Sequence, residues 1–214
     1  MEATQITLKT LTISIAAVLA MEIVFRLVQS AQPGSLLPAL GIIRCLEALF
    51  LIVIAGRFEI NPNVIGLSRS KILPGFVRGL VWSVCFGIAA GFLFLGLFAA
   101  GINPLKLVNT PLPSAPLQIF MFFLVGGVIG PIWEEIFFRG IIFGFFRRWG
   151  VYAAILISTA LFVLPHYDGH HLPLTQIVGG IVFAIAYERE KSLMVPVTIH
   201  CLGNMAIFSL TFFS

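Results

Sequence analysis

Charge is the first thing this 214-residue chain lacks: Asp, Glu, Lys and Arg together make up 10% of it. A soluble domain carries about a quarter of its residues as charges. Cysteine is also scarce, with Cys45, Cys85 and Cys201 each isolated in an apolar run. No Cys-x-x-Cys pair and no finger-type spacing occurs, so neither a disulfide framework nor a structural zinc site is expected. The three thiols are expected to be small buried hydrophobes. No internal repeat is visible, which weighs against a transporter built from duplicated halves. The basic residues are dispersed, so the formal net charge of +4 is no nucleic-acid footprint and no nucleic-acid partner is expected.

What is present is apolar: 59% of the residues are hydrophobic and 21 are Phe. That composition predicts an all-α, polytopic transmembrane helix bundle forming one membrane domain over residues 1–214. Seven apolar segments can be drawn, over about 8–29, 36–56, 75–100, 117–146, 151–166, 173–188 and 192–213. The first has Lys9 ahead of it and Val28-Gln29-Ser30 as a cleavage-like end, as a signal peptide would. Glu22 and Arg26 interrupt it, however, and its length suits a span, so it is expected to be a retained helix.

Pro33-Gly34-Ser35 and Asn61-Pro62-Asn63 are turn signals, and the proline-rich stretch 101–116 is expected to be irregular. Val64-Ile65-Gly66-Leu67 is expected at the membrane interface. Glycine pairs four apart predict close helix contact at Gly87 and Gly91, Gly126 and Gly130, and Gly140 and Gly144. Glu22 with Arg26, and Arg44 with Glu47, have the spacing of structural ion pairs within one helix.

Lys and Arg gather in alternate connections: Arg57, Arg69, Lys71 and Arg78, then Arg147 and Arg148, then Arg189 and Lys191. The intervening connections carry only Lys106. This bias predicts seven spans with a cytoplasmic amino terminus and an external carboxyl terminus. The compact length suits an integral protein of a prokaryotic inner membrane.

The chain is organised around Pro131-Ile-Trp-Glu-Glu-Ile-Phe-Phe-Arg-Gly140, which sets Glu134, Glu135 and Arg139 inside an apolar run. Ionisable groups at membrane depth face the protein interior or a water pocket and are functional by default. On a helix Glu135 and Arg139 share one face, whereas Glu134 is rotated away by about 100°. One carboxylate can thus be neutralised while the other stays available. At 1.5 Å per residue, Glu134 lies about 20 Å from Arg147, and His166 about 22 Å from Val151. His200 and Asn204 lie about 13 and 19 Å from Lys191. Three segments therefore bring Glu134, His166, His200 and Asn204 to similar depth. His200 and Asn204 also share a helical face, which suits two donors aimed at one atom. Asp168, His170 and His171 are expected in a solvated outer loop rather than at a metal.

Glu134-Glu135-xxx-Arg139, Phe162-xxx-His166 and His200-xxx-Asn204 occur in that order on three apolar segments. This set resembles the CPBP intramembrane protease family, the type II CAAX prenyl proteases and bacteriocin-processing enzymes. The resemblance covers roughly residues 115–207 and leaves 1–114 as an amino-terminal helical part. It implies hydrolysis of a peptide bond within the membrane, in a membrane-inserted or lipidated peptide or protein substrate. By resemblance Glu134 and His166 would activate water and His200 with Asn204 would stabilise the oxyanion. Glu135, Arg139 and Phe162 would give the site its shape. Metal-independent chemistry is favoured, with no cofactor. Glu134, His166 and His200 are also an acceptable zinc set with water in the fourth position. A non-catalytic membrane immunity or partner protein is the remaining alternative.

Overall fold

The apolar segments form helices in the computed structural model, which describes residues 6–31, 36–59, 63–108, 110–170 and 172–213. Helices α1 (Leu8–Ala31), α2 (Leu36–Phe58) and α3 (Arg69–Ala99) are followed by a single turn, α4 (Leu105–Val108). Then come α5 (Pro116–Trp149), α6 (Val151–His166), α7 (Leu174–Glu190) and α8 (Met194–Leu210). No strand occurs among the described residues. Helices α1, α2, α3 and α5 are each long and apolar enough to cross a membrane, and α6 and α8 are shorter apolar helices. Pro33-Gly34-Ser35, Asn61 and Pro62 lie outside the described residues.

Helix α3 starts at Arg69, ahead of the expected boundary at 75. Pro74 lies inside the helix. Its missing N–H leaves only the carbonyl of Ser70, an exposed residue, without a helical partner. At the other sharp boundary Gly150 has φ +106°, a conformation other residues rarely adopt, and it separates α5 from α6.

Helix α5 is central, packing against α1, α2, α6, α7 and α8. It is not a regular α-helix. An α-helical turn at Gly130–Glu135 is flanked by π-helical turns at Val125–Ile129 and Ile136–Phe143. Such turns are rare and gather at functional sites. Small residues let neighbours press against this helix. A Cβ on Gly127 would lie 2.9 Å from Met205, and one on Gly144 would lie 2.8 Å from Ile6. The 64–67 stretch packs against this helix. Ile65 is buried, and a Cβ on Gly140 would lie 3.2 Å from it.

Three other expectations are corrected. No atom lies within 4 Å of a Cβ placed on Gly87 or Gly91; the close seam of α3 with α8 runs through Gly75 and Gly79 instead. Cys45 and Cys85 are exposed, because the outside of a membrane bundle is itself apolar and accepts small apolar residues. Glu22 pairs with Arg44 on the next helix at 2.5 Å, while Arg26 lies on an exposed face of α1. The Arg44–Glu47 pair is present at 2.5 Å.

The basic connections meet at one end. Arg147 donates two 2.9 Å hydrogen bonds to Glu188, Arg78 donates one of 2.9 Å to Glu190, and Lys71 Nζ reaches the Lys191 carbonyl at 2.8 Å.

Candidate active site

Glu134 and Glu135 sit where the α-helical turn of α5 gives way to the second π turn. The i,i+4 spacing places Arg139 Nη1 at 3.0 Å from Glu135 Oε1, with both side chains fully buried. Arg139 is fixed further by donating from Nη2 to the Gly180 carbonyl at 3.1 Å. Its guanidinium lies 4.6 Å from the Phe162 ring centroid and 5.3 Å from that of Phe183. The cation thus has a carboxylate, a carbonyl and two aromatic faces in place of water.

His200 comes from α8 and joins the two glutamates. Its Nδ1 lies 2.8 Å from Glu135 Oε1, and its Nε2 lies 3.5 Å from Glu134 Oε2. The ring stacks on Phe183 at 4.6 Å and meets the edge of Phe162 at 5.7 Å. Glu135 accepts only if Nδ1 carries a proton. Nε2 then faces Glu134 Oε2 across the 3.5 Å contact. Glu134 keeps 19% of its side chain exposed, whereas Glu135 keeps none, so the first is the accessible carboxylate.

His166 ends α6 on an exposed 3₁₀ turn. Its Nδ1 is 2.8 Å from the Phe162 carbonyl, and its ring is 5.0 Å from that of Phe162. Donation from Nδ1 leaves Nε2 as the ring nitrogen not engaged by that carbonyl. Phe162 thus stands between His166 and His200. Asn204 donates from Nδ2 to the Gly126 carbonyl at 2.9 Å, which ties α8 to the first π turn of α5. Asp168 and His170 are exposed, and His171 lies outside the described residues. Among the described residues no three His, Cys, Asp or Glu side chains converge as a metal-holding group.

Residue reasoning missed Phe183 and the Gly180 carbonyl. Their signal was the run Gly179-Gly180-xx-Phe183, in which small residues permit the approach of α6 and the aromatic follows one turn later. It also missed Trp133, whose ring carries the Arg44 guanidinium at 4.0 Å.

An apolar helical bundle with two carboxylates, a guanidinium and one imidazole drawn together inside it defines an integral membrane protein with a buried polar cluster. Residues 116–206 match the family described as "Type II CAAX prenyl endopeptidase Rce1-like". A Bacillus subtilis (strain 168) protein named "Putative membrane peptidase YdiL" is 32% identical over 77% of this chain and 67% of its own length. The "Membrane-embedded CAAX protease MroQ" of Staphylococcus aureus (strain USA300) is 36% identical over 70% of this chain and 65% of its own length. No solved structure matches. The chain belongs to the Rce1-like family of type II CAAX prenyl endopeptidases.

Proposed function

We propose that this protein is an intramembrane endopeptidase in which Glu134 activates water against a peptide bond of a membrane-inserted or lipidated chain. The observation that carries this is the meeting of adjacent glutamates with one histidine from another helix, one carboxylate locked and the other accessible. Glu134 takes a proton from water, and the water oxygen attacks the carbonyl carbon. His166, with Nε2 as acceptor, orients that water at the mouth of the site. His200, anchored through Nδ1 by Glu135, turns Nε2–H to the developing oxyanion. Asn204 holds the π turn through one amide N–H and offers the other as a second donor. Such donors are most effective where water is excluded. Glu134 then passes its proton to the departing nitrogen, the C–N bond breaks, and a carboxylate and an amine are released.

No metal takes part in this scheme. Protein purified with strong chelators should keep full activity and contain no stoichiometric zinc. Loss on chelation with rescue by added zinc would instead recast Glu134, His166 and His200 as ligands. The substrate class is tested by mass spectrometry of membrane peptides from cells lacking this protein. Uncut precursors should accumulate and should disappear on complementation. An unchanged peptide population would point to the non-catalytic alternative.

A further inference from the structure

We infer that Arg44, held between Glu22 and Glu47, is a positioning residue for Glu134, so that α1 and α2 complete the site built on α5 to α8; this rests on the peptidase reading. Arg44 Nη2 lies 2.5 Å from Glu22 Oε1, and Nη1 lies 2.5 Å from Glu47 Oε2. The planar cation so held lies 4.0 Å from the ring centroid of Trp133, the residue before Glu134. Trp133 stacks on Phe137 at 5.9 Å and meets the edge of Phe138 at 6.4 Å. Phe138 meets the edge of Phe162 at 5.3 Å, and Phe162 meets His200. A continuous line of packed rings thus runs from the α1–α2 ion cluster to both sides of the Glu134–His200 contact.

A simple fastening of helices does not need this arrangement. Apolar packing usually stabilises as well as a buried ion cluster does. Two carboxylates on one guanidinium leave a formal negative charge. Glu47 Oε1 and Trp133 Nε1 are both buried without a hydrogen-bond partner, a costly state for polar atoms. What the cluster supplies instead is a rigid planar face against the indole, which arginine provides and lysine does not. Arg44 lies outside the segment 116–206 that matches the family, so the contact gives the amino-terminal helices a part in the chemistry.

The test uses Arg44→Lys, which keeps both charge partners but loses the planar stack, and Trp133→Phe, which keeps a ring. Arg78→Gln, at an exposed pair remote from the site, is the control. Each protein is measured for cleavage of an internally quenched prenylated carboxyl-terminal peptide and for the ¹⁵N resonances of the His200 ring. Arg44→Lys should remain folded, with kcat lower by roughly 10–100-fold, as a small misplacement of a reacting group produces. KM should be unchanged and the His200 resonances should move. Trp133→Phe should act in the same direction, and its effect should not multiply with that of Arg44→Lys. Arg78→Gln should change none of these. A folded Arg44→Lys protein with wild-type kcat and unmoved His200 resonances would overturn the inference, as would fully multiplicative effects of the two variants. If the wild-type protein cleaves nothing while Arg44→Lys still moves His200, the peptidase reading falls and the positioning contact stands.

Discussion

Glu134 and Glu135 are adjacent in sequence and meet opposite surroundings. Glu135 is fully buried between Arg139 and His200, with one oxygen accepting from both. Removing one partner of a buried ion pair leaves the other uncompensated, typically at a cost of about 3–5 kcal/mol. Glu135→Gln and Arg139→Leu should therefore each lower the melting temperature in detergent markedly; wild-type stability of both variants would mean that the pair does not hold the fold. The Glu135–Arg139 contact was legible because i,i+4 spacing is a local property of a helix. The Glu22–Arg44 contact was not. Glu22 had a plausible partner in Arg26 on its own helix, and only packing decides between a local and a neighbouring cation.

Among the elements, hydropathy located the long helices of the bundle but could not see the π turns of α5. Those turns depend on how the neighbouring helices and Asn204 engage its backbone. Glycine spacing was similarly ambiguous, since it marks a face without saying whether a partner occupies it. A Cβ on Gly79 would lie 2.5 Å from Thr198 Cβ, whereas nothing lies within 4 Å of one on Gly91. Gly79→Leu should thus destabilise by about 1–3 kcal/mol or more through overpacking. Gly91→Leu should stay within about 0.5 kcal/mol of wild type. Thermal denaturation in detergent compares the two, and equal losses would contradict the α3–α8 seam.

For the whole molecule, the ion pairs among Arg78, Arg147, Glu188, Glu190 and Lys191 bring three basic connections to one end of the bundle. Seven spans with that end in the cytoplasm predict reporter fusions after Arg57 and Lys191 that read cytoplasmic, and one at Ser214 that reads external. A cytoplasmic carboxyl terminus would change the number of spans. The buried cluster of Glu134, Glu135, Arg139 and His200 unites helices distant in the chain. The pairing of Glu135 with Arg139 was legible from spacing, and the approach of His200 only from packing. The most direct test replaces the accessible carboxylate. Glu134→Gln keeps size and hydrogen bonding but removes the base. Melting temperature in detergent and cleavage rate should be measured on the same preparation. The melting temperature should stay close to wild type while cleavage falls by roughly 10²–10⁴-fold, as loss of a general base does. A folded Glu134→Gln protein that cleaves at the wild-type rate would contradict glutamate-driven hydrolysis at this site.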